Sequence, residues 1–140
     1  MIIKSSDEWQ TPQWLFDELN KEFRFTCDAC ATRENTKCDA YMPNALNDAS
    51  WRDEGNVFMN PPYSNPKPFV EAAWRNRIGR KVVLLLKCDP STKWWGIFWD
   101  YYTNWPKMNT QIRYIPKRLK FNDGKCAAPF PSVIVIMGPL

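Results

Sequence analysis

An uninterrupted apolar run, Val82 to Leu86, constrains the fold of this chain more than any other feature. Lys81 and Lys87 bound it on either side. Such a run is typical of a strand that is covered on both faces, as in a parallel sheet flanked by helices. It therefore predicts a buried strand in an α/β domain.

The rest of the chain alternates between helical and strand patterns. Residues 1–10 are predicted to be an extended polar lead, followed by Thr11 as a helix N-cap and Pro12 as the first helical residue. The predicted helices are 12–22, one that starts at Asn65 or Pro66, and one that Ser91 caps and that continues to about Tyr102. The predicted strands are 25–29, 40–42, 57–59, 81–87 and 111–115. Segments 119–121 and 132–137, joined through a turn at 122–124, are predicted to form a terminal antiparallel pair. This alternation favours an α/β fold with a mainly parallel sheet.

Composition narrows the class of protein. A chain of 140 residues with 44% hydrophobic residues predicts one folded domain over residues 1–140. Eight tryptophans exceed what a core of this size needs, so some are expected at a surface or pocket. The net charge of +4 is compatible with a polyanionic partner.

No membrane span is expected, because no apolar stretch reaches the ~20 residues required. Five cysteines and no signal peptide favour a reducing cytoplasm. Cys27, Cys30 and Cys38 lack a fourth cysteine or histidine ligand, and the chain has no histidine, so no metal site is expected.

Asn60-Pro61-Pro62-Tyr63 follows directly on the predicted strand 57–59. Two prolines fix φ and donate no N–H, so the carbonyls and the Asn60 side chain can be held stiffly at the end of the strand. In an open α/β sheet, ligands bind at that edge.

This tetrapeptide suits chemistry that activates an exocyclic amino group on an aromatic base for attack. Such an amine is a poor nucleophile because its lone pair is delocalised into the aromatic ring. An Asn60 carbonyl and a backbone carbonyl can each accept one N–H, which localises the lone pair, while Tyr63 offers a flat face for stacking. The alternative is a proline-rich turn that follows a strand and has no catalytic role.

The chain resembles the phage-type (Dam-like) DNA adenine-N6 methyltransferases. The resemblance runs from Gln10-Thr11-Pro12, with Leu15-Phe16, to the end of the chain. It includes the segment 25–31, the tetrapeptide 60–63, and segments 118–121 and 128–132. It implies a Rossmann-like class I methyltransferase fold with helices on both faces of the sheet, the cofactor S-adenosyl-L-methionine, DNA as the partner, and a phage or prophage origin.

The resemblance also implies roles for individual residues. Asp28 is expected to bind the amino group of the methionine part of the cofactor, and Asp39 and Asp48 compete for its ribose hydroxyls and adenine amino group. The implied cofactor-binding residues are Gln10, Thr11, Pro12, Phe16, Asp28, Ala29, Cys30, Asp39, Asp48 and Asn60. The implied catalytic residues are Asn60, Pro61, Pro62 and Tyr63. The implied substrate-binding residues are Tyr63, Ser64, Trp94, Trp95, Lys120 and Phe121, with Phe121 as the aromatic wall opposite Tyr63.

One departure from the family pattern is the missing glycine-rich turn after the first strand, where Ala29, Cys30 and Ala31 stand instead. A second is that a single domain over residues 1–140 is expected, without a separate target-recognition domain. Cytosine C5 chemistry is disfavoured because no cysteine follows a proline, and dinucleotide oxidoreduction because no G-x-G-x-x-G is present. The alternatives that stay open are methylation of cytosine N4, RNA or a protein glutamine, and an inactive nucleic-acid-binding module. Basic residues at 75–81 and 117–120 are candidates for phosphate contacts or for a solvated face. The sequence does not indicate an oligomeric state.

Overall fold

The computed structural model describes residues 9–139, apart from the side chain of Asp123. Most of the predicted polar lead, residues 1–8, lies outside the described residues. The elements are α1 (Gln13–Phe23), β1 (Cys27–Asp28), β2 (Ala40–Tyr41), β3 (Val57–Met59), α2 (Lys67–Arg75), β4 (Val82–Lys87), β5 (Trp99–Asp100), β6 (Trp105–Pro106), β7 (Thr110–Tyr114), α3 (Phe121–Gly124), β8 (Cys126–Ala127) and β9 (Ser132–Met137). Two 3-10 turns, Asp48–Trp51 and Lys93–Ile97, lie between them.

Six strands form the main sheet in the order β2-β1-β3-β4-β9-β7. The first four are mutually parallel, and β9 runs antiparallel to both β4 and β7. The carboxyl ends of the four parallel strands therefore meet at one edge, called here the carboxyl edge. The prediction of an α/β fold with a mainly parallel sheet is confirmed.

Both faces of β4 are covered, as its apolar run predicts. Val83 and Leu85 pack with the apolar residues of α1. Val82, Leu84 and Leu86 pack on the opposite side, in the cluster that contains the buried residues of α2 and of the second 3-10 turn. All five residues of the run are at most 1% exposed.

Helix α1 is tied to β3 at both of its ends. At the carboxyl edge, Thr11 Oγ1 accepts a hydrogen bond from Asn60 Nδ2, directly after β3. At the other end, the Phe23 carbonyl accepts one from Asn56 Nδ2, directly before β3. The helix thus returns from the carboxyl edge to the amino end of the strand.

The prediction that Thr11 caps α1 is wrong. Pro12 occupies the N-cap position, and no side chain within residues 9–139 caps this helix. Pro12 can take this place because its carbonyl accepts the first helical hydrogen bonds, from the backbone N–H groups of Leu15 and Phe16. The Thr11 hydroxyl is therefore used for a different contact.

The predicted helix from Ser91 to about Tyr102 is also wrong. One short 3-10 turn, Lys93–Ile97, is followed by the antiparallel pair β5–β6. Gly96 weakens a helix, and the aromatic residues from 98 to 102 favour extended structure. Ser91 instead donates its backbone N–H to Asp89 Oδ1.

The predicted terminal pair has the wrong partner. β9 pairs with β4 and β7, whereas segment 119–121 bridges to 126–127 around the short helix α3. All six residues of β9 are buried, so this strand needs a partner on each side, and β4 and β7 supply longer ladders than 119–121. Residues 122–124, predicted as a turn, lie in the short helix α3, with positive φ at Asn122 and Gly124.

We expect Asn56→Ala to lower the free energy of unfolding by about 2–3 kcal/mol, because two backbone groups lose their partner. These groups are the Phe23 carbonyl, at 2.7 Å from Asn56 Nδ2, and the Lys81 N–H, at 2.8 Å from Asn56 Oδ1. Urea unfolding would measure the change. Asn20→Ala is the matched control: Asn20 accepts one backbone N–H, that of Phe25, so its loss should cost about 1 kcal/mol. Equal losses in the two variants would contradict the role given to Asn56.

Candidate functional site

The site lies at the carboxyl edge, where β1 and β3 end side by side. Asp28 pairs with Phe58 in the parallel register, and the Ala29 N–H donates to the Phe58 carbonyl at 2.8 Å. Asp28 at the end of β1 and Asn60 after β3 therefore reach the same edge. The structure brings together these two polar side chains, which are distant in sequence.

The side-chain amide of Asn60 is held from one side. Its Nδ2 donates to Thr11 Oγ1 at 3.0 Å and to the Trp9 carbonyl at 3.3 Å. Its Oδ1 is buried and has no hydrogen-bond partner among the described residues. A buried acceptor without a partner is costly and uncommon in folded proteins, so it calls for an explanation such as a bound ligand.

A cavity of about 40 Å³ lies between Asn60 and Asp28. Its lining residues are Trp9, Gln10, Thr11, Asp28, Cys30, Ala31, Asn35, Lys37 and Asn60. Five residues predicted to bind a cofactor thus converge on one cavity: Gln10, Thr11, Asp28, Cys30 and Asn60. The positive φ of Cys30, 52°, turns the chain away from β1 where a glycine was expected.

Asp28 places a carboxylate in this cavity, where burial removes water from the group and disfavours its charged form. The residue is 5% exposed, and its Oδ2 accepts the backbone N–H of Lys37 at 2.8 Å. Burial raises the pKa of the Asp28 carboxyl from its usual 3.8 to about 6, and the Lys37 contact opposes this shift. The group is therefore mostly ionised at neutral pH but held in an unfavourable environment.

A second, more open cavity of about 570 Å³ adjoins the first and shares Lys37 with it. Its lining residues are Arg33, Thr36, Lys37, Cys38, Asp39 and Tyr41. Its volume lies within the range of about 300–1,000 Å³ that small-molecule sites occupy. Asp39, one of the two carboxylates predicted to compete for the ribose hydroxyls and adenine amino group of the cofactor, thus lines a cavity that adjoins the first.

The structure does not bring Asp48 to either cavity. Its carboxylate is exposed and forms an ion pair with Arg75 at 3.2 Å, and Asn76 donates to it at 3.0 Å. These contacts lower the pKa of the Asp48 carboxyl. Both partners lie at the C-terminal end of α2, away from the carboxyl edge.

Three other residues predicted to bind a cofactor are part of the scaffold around the site. Phe16 is 3% exposed and packs in the cluster between α1 and the sheet. Pro12 is buried at the start of α1, and Ala29 is fully buried after β1. The described cavities do not include these side chains in their lining.

Four aromatic rings pack together beside Asn60: Trp9, Tyr63, Phe121 and Phe130. Trp9 stacks on Phe121 with 5.1 Å between ring centroids, and Tyr63 meets Phe121 edge-on at 6.0 Å. The Tyr63 hydroxyl and Trp9 Nε1 are buried without a hydrogen-bond partner in the described part of the chain. Burial also raises the pKa of the Tyr63 hydroxyl. Phe121 thus contacts Tyr63 directly, and Trp9 fills the space beside both rings.

The remaining predicted substrate residues occupy three environments. Trp94 lines a third cavity of about 90 Å³, together with Pro61 and Tyr63. Trp95 is 1% exposed and packs against Phe98 in the core. Ser64 and Lys120 are exposed on the surface, and Pro62 lines a further cavity with Cys30.

The two basic clusters differ in their surroundings. Arg80 donates to the backbone carbonyls of Glu54, Asn76 and Trp51, and the Arg77 guanidinium lies 3.7 Å from the Trp74 ring centroid. These arginines therefore hold the structure together at the edge opposite the site. Lys117, Arg118 and Lys120 are exposed and directly precede Phe121.

Sequence analysis missed Trp9, Asn35 and Lys37 as residues of the site. Trp9 was placed in a polar lead, although an isolated tryptophan beside Thr11-Pro12 is a signal that could have found it. Asn35 and Lys37 reach the cavity only because β1 and β2 pair in parallel, and no local pattern indicates this. No group of three or more metal-ligating side chains was found within residues 9–139, and no helix there is long and apolar enough to cross a membrane.

The parallel strands and the polar cavity at the carboxyl edge are typical of α/β proteins that bind ligands at that edge. Comparison with known proteins goes further: the family model described as DNA N-6-adenine-methyltransferase (Dam) matches residues 2–140, so the chain belongs to this family. A Haemophilus phage HP1 (strain HP1c1) protein named DNA N-6-adenine-methyltransferase is 40% identical over 102 residues, 67% of this chain and 58% of that protein. An Escherichia phage T1 protein of the same name is 32% identical over 92 residues, 63% of this chain and 39% of that protein. The matched regions thus span only part of both phage relatives.

We expect Asp28→Asn to become more stable relative to the wild type as the pH rises. Because folding raises the pKa of Asp28 to about 6, the folded state binds more protons in this window, and its stability falls as the pH rises towards 6. The difference in free energy of unfolding between variant and wild type should therefore grow by about 2 kcal/mol from about pH 4 to about pH 7. Urea unfolding at both pH values would measure it. A constant difference would contradict the raised pKa.

Proposed function

We propose that this chain is an S-adenosylmethionine-dependent methyltransferase that acts on the exocyclic N6 amino group of adenine in DNA. The observation that carries the proposal is the buried Oδ1 of Asn60, an acceptor without a partner among the described residues. Membership of the Dam family supports the same reaction. The two phage relatives named DNA N-6-adenine-methyltransferase support DNA as the substrate and a phage or prophage origin.

The role of Asn60 and Pro61 is to activate the amino group. Asn60 Oδ1 accepts one N–H of the adenine N6, and the Pro61 carbonyl accepts the other. These bonds draw the nitrogen towards tetrahedral geometry and localise its lone pair. The prolines at 61 and 62 hold the two acceptors at a fixed separation because their φ angles are constrained.

The residues of the two adjoining cavities fit the proposed cofactor. The partly desolvated carboxylate of Asp28 suits an ammonium group, and Asp39 in the larger cavity suits hydroxyl or amino donors. When bound, S-adenosylmethionine supplies an electrophilic methyl group. Gln10 and Cys30 would border it on the side of Asn60.

The base has to leave the DNA stack to reach Asn60, or be offered in a single strand. Tyr63 would stack on it, with Phe121 and Trp94 as further aromatic contacts. The exposed cations Lys117, Arg118 and Lys120 precede Phe121 and would bind phosphates near the aromatic cluster. The cluster 75–81 does not support phosphate binding, since Arg80 holds backbone carbonyls, Arg77 lies over the Trp74 ring and Arg75 is paired with Asp48.

The sheet order supports a Rossmann-like class I methyltransferase fold with helices on both faces. Helices α1 and α2 pack against opposite faces of the sheet. Strand β9 lies between β4 and β7, which run in the same direction, and is antiparallel to both. On this proposal the chain is one catalytic domain that acts in the cytoplasm of a bacterial host. Cytosine N4 is the second candidate target, because its amino group presents the same two N–H donors.

We expect purified protein to transfer labelled methyl from S-adenosylmethionine to DNA, and Asn60→Ala to lower kcat by about 10²–10³-fold, as the loss of one transition-state hydrogen bond does elsewhere. Digestion to nucleosides would identify the product as N6-methyladenine. Asn109→Gly is the control, since Asn109 lies near Gly138 at the opposite edge and its positive φ suits glycine. Label on N4-methylcytosine would show that the target is cytosine instead of adenine. An Asn60→Ala variant with full activity would contradict the role given to Asn60.

Cofactor affinity should depend on pH through Asp28. Because an ammonium group binds the ionised carboxylate, affinity should fall about tenfold per unit below the pKa of about 6. Calorimetry with S-adenosylhomocysteine would measure this without turnover. Asp28→Asn should bind more weakly at neutral pH and lose the dependence. An unchanged pH profile in the variant would show that Asp28 does not contact the ammonium.

A further inference from the structure

The two acceptors on Asn60 Nδ2 come from one short segment of chain. Thr11 Oγ1 lies 3.0 Å from the nitrogen and the Trp9 carbonyl 3.3 Å. An amide has two donor hydrogens on its nitrogen and acceptor sites on its oxygen. With both hydrogens engaged on the same side, the amide plane is fixed and Oδ1 faces the other way.

This orientation decides whether Asn60 can serve an amino group. An Asn side chain rotated by a half-turn would present its own NH₂ group to the NH₂ group of the substrate, donor against donor. Both orientations have nearly the same shape, so packing alone does not choose between them. The Trp9 carbonyl can only accept, so it selects the orientation with Nδ2 towards it, and the Thr11 hydroxyl, which can accept or donate, then accepts the second hydrogen.

We propose that Thr11 is a positioning residue, which together with the Trp9 carbonyl holds the Asn60 amide with Oδ1 towards the reacting nitrogen. The inference deepens the proposed function and rests on it. Thr11 acts through Asn60, in contrast to the cofactor contact that the family resemblance implies for it.

The surroundings of Thr11 fit this role. Thr11 is 5% exposed, and its hydroxyl is not used to cap α1, whose N-cap is Pro12. Gln10, which lies between Trp9 and Thr11, is held by two hydrogen bonds to Asn122. The Gln10 N–H donates to Asn122 Oδ1 at 2.7 Å, and the Asn122 N–H donates to the Gln10 carbonyl at 3.3 Å. The Trp9 carbonyl and the Thr11 hydroxyl are therefore held in place from the scaffold.

The test compares Thr11→Val, which keeps the shape and loses the acceptor, with Thr11→Ser, which keeps the acceptor. We expect Thr11→Val to lower kcat by about 10- to 100-fold, a size typical of a misplaced catalytic group. The dissociation constant for S-adenosylhomocysteine should stay within about twofold, because the hydroxyl does not bind the cofactor. Thr11→Ser should restore most of kcat. Circular dichroism would verify that both variants fold.

The results separate the possible roles. A larger dissociation constant for S-adenosylhomocysteine in Thr11→Val, with unchanged kcat, would overturn the inference and make Thr11 a cofactor contact. An unchanged kcat in Thr11→Val, with Asn60→Ala inactive, would overturn it as well. A fully active Asn60→Ala would instead reject the proposed function itself.

A second measurement does not depend on activity. The side-chain amide signal of Asn60 can be assigned by NMR as the one that disappears in Asn60→Asp. We expect its hydrogens to exchange slowly in the wild type and in Thr11→Ser, and faster in Thr11→Val, because one of them loses its acceptor. The same exchange rate in Thr11→Val and wild type would overturn the inference whatever the enzyme methylates.

Discussion

The position of β3 relative to α1 is the constraint on which the site depends. Asn56 and Asn60 lie immediately before and after this short strand, and each donates its side-chain amide to one end of the helix. A strand of only three residues supplies few ladder hydrogen bonds of its own. The two asparagines therefore fix how far Asn60 extends past the sheet, and the first of them also accepts the N–H of Lys81 at the start of β4.

Several polar atoms around this strand end are left in costly surroundings. Asp28 carries a desolvated carboxylate, and the buried Asn60 Oδ1 and Tyr63 hydroxyl have no partner among residues 9–139. Each such group lowers stability unless a ligand satisfies it. These three groups lie around one strand end, and two further buried hydroxyls without a partner, those of Thr110 and Ser132, lie at the starts of β7 and β9. A concentration of such groups at one place is expected where binding supplies the missing partners.

Strands with a strong local signal were predictable, and those set by tertiary pairing were not. Segments 57–59 and 132–137 coincide with β3 and β9, since both are apolar runs bounded by turn residues. The partner of β9 was missed because the pairing is decided between β4, β7 and 119–121, which compete for one buried strand. The prediction of a helix from Ser91 was wrong because aromatic residues fit either a helix face or a short hairpin. Gly96 weakens the helix and so favours the hairpin.

The same division holds in the site. Asn60 and Tyr63 follow from a tetrapeptide, and Asp28 from the end of a strand, but Trp9, Asn35 and Lys37 enter only through the folded chain. Five centroid pairs among Trp9, Tyr63, Phe121 and Phe130 lie 5.0–6.2 Å apart, so these rings contact each other, and Tyr63 also lines the third cavity with Pro61 and Trp94. On the proposed function, a base that stacks on Tyr63 either enters through that cavity or displaces one of these rings. Trp9 is the ring whose backbone also holds Asn60, so displacing Trp9 would also disturb the orientation of Asn60.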